Sequence, residues 1–151
     1  MPTNQFSNPL GYFQANLDST FTKAINTTGV FEDISPTLTN QEEYQYNTSI
    51  DARGNIKFEE KGIWKYDFVG TWNGATNDNM QLRATIFKNP YTLLLPPVKW
   101  NARGGNNWAI SYSVMFQVFQ AGETIQLELL NEDDTAVSQL IFGIFTAIKL
   151  Y

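Results

Sequence analysis

Between Gly62 and Trp72 the chain places Trp64, Tyr66, Phe68 and Trp72 at even positions and Lys65, Asp67 and Thr71 at odd ones. A helix scatters such a set around its axis, whereas an extended strand gathers the rings on one face and the polar groups on the other. The stretch therefore predicts a strand with a ring-lined inner face. The same period returns in Ile56 and Phe58, in Leu82 to Phe87, in Ile110, Tyr112, Val114, Phe116 and Val118, and in Ile125, Leu127 and Leu129. Lys88-Asn89-Pro90, Ala121-Gly122-Glu123 and Asn131-Glu132-Asp133-Asp134 separate these runs and read as turns. The run Leu140 to Phe145 differs, being apolar at both parities, so both of its faces need a cover. An opposing sheet supplies one, and a neighbouring subunit is the simplest source of the other. With no amphipathic helical pattern, the expected fold is all-β and antiparallel, with no significant helix. A jelly-roll sandwich matches the size.

The chain has 151 residues, enough for one domain with a sizeable core. It contains neither His nor Cys, which removes thiol nucleophiles, Ser-His and Cys-His pairs, imidazole acid–base chemistry and structural zinc. Ten Lys and Arg against a net charge of −5 leave no basic face for nucleic acid and none for an anionic membrane. Residues 1–16 lack the basic and apolar regions of a signal peptide. No window approaches the ~18 apolar residues of a bilayer span. The glycosylation-type triplets at Asn26 and Asn47 are read as chance. Residues 1–12 are expected to be a tail or attachment segment and 13–151 the head domain.

Few residues offer chemistry. Glu42-Glu43 and Glu59-Glu60 are read as exposed carboxylates rather than a glycosidase pair. No Gly-x-Ser-x-Gly elbow is present. The acidic run 131–134 reads as a solvated turn, with calcium ligation as the rival reading; no metal and no cofactor are expected. Recognition is assigned to a loop from Trp100 to Trp108. There Trp100 and Trp108 offer stacking surfaces, and Asn101, Arg103 and Asn106 offer directed hydrogen bonds. Its rival role is a plain connection with both Trp pinned in the core.

The order of features resembles the globular head of the complement first component and the tumour necrosis factor jelly roll. The matching residues are Gly54-Asn55-Ile56-Lys57-Phe58, Gly62-Ile63-Trp64-Lys65-Tyr66, Ala84-Thr85-Ile86-Phe87-Lys88-Asn89, Val114-Met115-Phe116-Gln117-Val118, Ala121-Gly122-Glu123-Thr124-Ile125 and Phe142-Gly143-Ile144-Phe145. Thr28-Gly29-Val30-Phe31 stands where the early strand belongs. Pro90, Glu123 and Ile144 depart from the family's Gly, Asp and Phe, and no collagen-like repeat precedes the head. The resemblance implies a homotrimer that binds and does not catalyse. It places Lys65, Asp67, Gln126 and Glu128 near the three-fold axis as one polar network, and puts Ile144 or Phe145 in the subunit interface. Cys-free, Asn- and Thr-rich composition points among such heads to a phage or virus particle. The expected role is a structural spike, fibre or decoration protein of a virion. Its partners would be other virion proteins through the N-terminal segment, and a host-surface glycan or protein. The rival is a bacterial surface or secreted carbohydrate-binding module.

Overall fold

A computed structural model describes residues 11–16, 21–24, 29–34, 42–73, 78–88, 90–102, 108–133 and 137–151. The strands are β1 (Tyr12–Asn16), β2 (Phe21–Ala24), β3 (Glu32–Asp33), β4 (Glu42–Tyr46), β5 (Thr48–Ile50), β6 (Ile56–Phe58), β7 (Gly62–Asn73), β8 (Asp78–Phe87), β9 (Thr92–Leu94), β10 (Val98–Ala102), β11 (Trp108–Val118), β12 (Thr124–Asn131) and β13 (Val137–Lys149). A first sheet has the order β11-β7-β13-β1-β4, with β2 also paired to β13. A second has the order β10-β8-β12-β6-β5, with β3 paired to β12 and β9 to β8. Neighbours in both sheets run antiparallel.

The ring-bearing run becomes β7, the long strand between β11 and β13. Its inward Trp64, Tyr66 and Phe68 are fully buried. They meet Leu82, Ala84 and Ile86 of β8 and Ile125, Leu127 and Leu129 of β12 in one core. Phe58 of the second sheet crosses to Trp64 and Phe116 of the first, with ring centroids 4.7 and 5.2 Å away. The Trp64 indole N–H donates to the Glu60 carbonyl at 3.1 Å, so this buried ring keeps a partner for its polar atom. Tyr112 of β11 ties the layers together: its hydroxyl accepts from the Ala84 N–H at 3.0 Å and donates to the Pro96 carbonyl at 2.9 Å. Burial raises the Tyr112 phenol's pKa, opposed by the Ala84 hydrogen bond and the Arg83 charge. Burial raises that of Tyr66 further still. Both rings are structural and neutral.

Two backbone positions close the sandwich. Asn47 alone separates β4 in the first sheet from β5 in the second, and takes a left-handed φ of 56°. Asn tolerates that region better than most residues. Its carbonyl accepts from the Glu59 N–H at 3.0 Å. Gly62 has φ +147°, and a Cβ there would sit 2.1 Å from the Tyr151 carbonyl oxygen. That close approach lets Ile63 N–H donate to Tyr151 at 3.0 Å and Leu150 N–H donate to Ile63 at 2.7 Å.

At the same end the turns read as Lys88-Asn89 and Gly122-Glu123 meet through a buried ion pair, Lys88 Nζ to Glu123 Oε2 at 3.0 Å. The Glu123 carboxylate also accepts from the N–H groups of Phe119 and Gln120, at 3.1 and 3.2 Å. Lys88 donates to the Gln117 carbonyl and lies 4.1 Å from the Phe119 ring centroid. A buried charge left unpaired is costly, so these contacts lock the β11–β12 hairpin to the end of β8.

Several boundaries differ from the sequence reading; among them, β12 runs on through Asn131, which was read as part of a turn. Tyr12, assigned to the tail, opens β1 opposite Ile148 and Tyr46, while residues 1–10 lie outside the described set. The early strand is Glu32–Asp33 rather than Thr28 to Phe31. Ile34 supplies the buried side chain there, and its N–H donates to the Leu127 carbonyl at 2.9 Å. The strand read from Leu82 begins at Asp78.

Trp64→Ala empties the centre of the core. Chemical denaturation should show a loss of about 3–5 kcal/mol; an unchanged midpoint would reverse the assignment of β7's faces.

Candidate assembly face

The outward residues of the first sheet fall into register across its strands. One row runs Met115, Lys65, Ile148, Tyr12, Tyr46 from β11 to β4. The next runs Ser113, Asp67, Thr146, Gln14, Tyr44, and the third Ser111, Val69, Ile144, Asn16, Glu42. The side chains of Asn16, Glu42 and Tyr44 lie outside the described set. Met115 is 63% exposed, Tyr46 53%, Val69 46% and Ile148 43%. Tyr12 and Tyr46 stack with centroids 6.2 Å apart. Apolar side chains in the first and third rows thus lie on either side of the second, on a face that no described element covers; Lys65 interrupts the first row, and Ser111, Asn16 and Glu42 belong to the third. Lys65 and Asp67 pair along β7 at 3.3 Å in the middle of it, both part-exposed.

The candidate residues separate on this geometry. Ile144 points outward and is half-buried, whereas Phe145 is fully buried, 4.9 Å from the Phe68 ring centroid. Phe145 therefore leaves the interface set, because alternation along β13 turns it to the core. The polar network proposed for the axis also divides. Lys65 and Asp67 stand on the first sheet; Gln126 and Glu128 stand on β12 in the second. Glu128 is buried and accepts from Arg83 Nε at 2.8 Å and from Gln126 Nε2 at 3.1 Å. The Phe31 ring lies 3.7 Å from the Arg83 guanidinium. Two sheets with opposite outward faces cannot bring all four residues to one axis.

The loop read for recognition is shorter than Trp100 to Trp108. Trp100 and Asn101 belong to β10. Trp100 is half-buried and packs against the core, while Asn101 donates to the Asn79 side-chain oxygen at 3.1 Å. Alternation sends them to opposite faces. Arg103 and Asn106 lie outside the described residues, as does the Trp108 side chain; its backbone opens β11 opposite Trp72.

Glu59 and Glu60 are each engaged. Glu59 accepts from the Ser49 hydroxyl at 2.7 Å and pairs with Lys57 at 3.2 Å; the Ser49 bond lowers its pKa. Glu60 pairs with Lys149 at 2.8 Å and accepts from Asn47 at 3.0 Å. In the acidic turn, Asp133 accepts from the Asn79 N–H at 2.6 Å and Glu132 from the Gln81 amide. Among the described residues no cluster of three or more His, Cys, Asp or Glu is arranged to hold a metal.

By sequence the chain matches no family model and no curated protein. By structure it matches heads of known architecture. Eiger, a tumour necrosis factor of S. frugiperda, superposes with a TM-score of 0.65 at 8% identity, over 93% of this chain and 91% of its own. The globular domain of zebrafish complement 1qA protein gives 0.60 at 12%, over 93% and 97%. Murine APRIL at pH 5.0 gives 0.62 at 7%, over 93% and 98%. The fold is the tumour necrosis factor-like jelly roll.

In this jelly roll the sequence signal for the face was present but faint. Val69 shares the parity of Lys65 and Asp67, and Met115 that of Ser111, Ser113 and Gln117. Each is an apolar residue at a position whose neighbours are polar. Tyr12 and Tyr46 carry no such signal, because their strands are short and their pairing is set by β13.

Introducing a charge at the two adjacent β13 positions should separate their roles. Phe145→Asp buries a carboxylate in the core and should abolish the folded-state circular dichroism. Ile144→Asp should retain it. Equal loss from both would contradict the assigned register.

Proposed function

We propose that the chain is the head of a homotrimer, joined through the outer face of the first sheet, and serves as a non-enzymatic structural or attachment component of a virion. The observation that carries the oligomer is the set of apolar side chains on that face, Met115, Ile148, Tyr12 and Tyr46 in one row and Val69 and Ile144 in another. Exposed apolar side chains gathered on one face mark an interaction site. A cyclic trimer joins unlike patches, and the chain offers a second one. Tyr91, Leu93 and Leu94 are exposed on and beside β9, at the edge of the second sheet. That edge lies next to β11, whose Tyr112 hydroxyl reaches Pro96. An edge of one subunit seated on the broad face of the next uses both.

The non-enzymatic reading is supported by the absence of His and Cys and by carboxylates that are engaged in ion pairs and backbone bonds. The virion placement is supported by composition: a Cys-free, acidic head rich in Asn and Thr folds without an oxidising compartment. Arg103, Asn106 and Trp108 are kept as the contact loop for a host-surface glycan or protein.

Native mass spectrometry at micromolar concentration should give three times the 17.2 kDa subunit mass, and Ile144→Asp should reduce it to one. A folded wild-type monomer would overturn the oligomer. Immunolabelling should find the chain on assembled particles; labelling confined to a cell envelope would move it to a bacterial surface.

A further inference from the structure

We propose that the Lys65–Asp67 pair makes this self-association acid-labile: a second copy seats on the face only while Asp67 is ionised. The inference rests on the trimer reading and adds a control to it. In the separate subunit the pair is 3.3 Å apart, with side chains 44% and 33% exposed. Water solvates both ions, and the pair adds little. Its neighbours in register are apolar or uncharged: Met115 and Ile148 beside Lys65, Ser113 and Thr146 beside Asp67.

Among the described outward side chains no second countercharge is in place; the side chain of Glu42, in the third row, lies outside the described set. β11 presents Ser111, Ser113, Met115 and Gln117 to this face, and β13 presents Ile144, Thr146 and Ile148. β1 and β4 add the phenol rings of Tyr12 and Tyr46. Among the described outward side chains of these rows, Lys65 and Asp67 are the charged ones. Tyr66, between them in sequence, points into the core and is neutral.

Seating a copy on the face removes the water. The two ions then depend on each other, and a covered charge without its partner is strongly unfavourable. A proton taken up by Asp67 leaves the Lys65 ammonium alone under the cover. The separated subunit accepts that proton more readily than the assembly does, so by linkage acid drives separation. The sign is fixed: association is complete at neutral pH and is lost as pH falls.

The test compares the wild type with Asp67→Asn and with the uncharged double variant Lys65→Met/Asp67→Leu. Sedimentation velocity from pH 7.5 to pH 3 is run beside circular dichroism. The wild-type association constant should fall by more than about tenfold by pH 3 with the β-sheet spectrum intact. Asp67→Asn should be weakened by a similar factor already at pH 7.5. The double variant, whatever its affinity at pH 7.5, should change by less than about twofold across the range. The proposal is overturned if the double variant tracks the wild type, if Asp67→Asn associates like the wild type, or if wild-type dissociation coincides with loss of the sheet spectrum. A folded wild-type monomer at pH 7.5 would instead remove the trimer reading itself.

Discussion

The alternation of β7 governs both halves of this molecule. Its inward rings, Trp64, Tyr66 and Phe68, occupy the middle of the core and hold the two sheets at a fixed separation. Its outward residues, Lys65, Asp67 and Val69, form the centre of the first sheet's outer face. A period of two leaves no freedom between these roles, because a slip of one residue would exchange them. Long antiparallel registers with β11 and β13 fix that choice on both sides.

The ends of the sandwich are secured by different means. Polar groups there are buried with their partners. Lys88 and Glu123 share a charge-assisted cluster with three backbone groups, and the Tyr112 hydroxyl joins β11 to β8 and to the segment before β10. Backbone geometry does the rest, at Asn47 where the chain crosses between sheets and at Gly62 where it passes under the last residue. These sites keep the hairpins and the C-terminus in place, so that the broad face and the β9 edge keep fixed positions.

Much of this was legible in the sequence because strand alternation is a local property. Trp64, Tyr66, Phe68, Ile125 and Leu127 were read as core and are buried, and the all-β architecture followed from the same period. The resemblance to the complement and tumour necrosis factor heads was carried by the order of short motifs, and the superpositions bear it out at identities of 7–12%. What the sequence did not show is which strands share a sheet. That is why Lys65 and Asp67 were grouped with Gln126 and Glu128, which stand on the other layer. It is also why Lys88 and Glu123 were read as two turns rather than one ion pair. Phe145 and Ile144 were ambiguous for a related reason: a run apolar at both parities gives no phase, and only pairing to β7 supplies it.

The absence of cysteine makes one measurement especially direct. Single cysteines at Ile144, Thr146 and Ile148 report on the outer face of β13 without competing thiols. In the assembled protein all three should react with a soluble maleimide much more slowly than a cysteine at exposed Ala52. Dilution that separates the subunits should speed labelling at all three β13 positions, most at Ile148, while circular dichroism stays unchanged. Rapid labelling of the β13 cysteines at every concentration would show that this face stands open to solvent, and would contradict an assembly built on it.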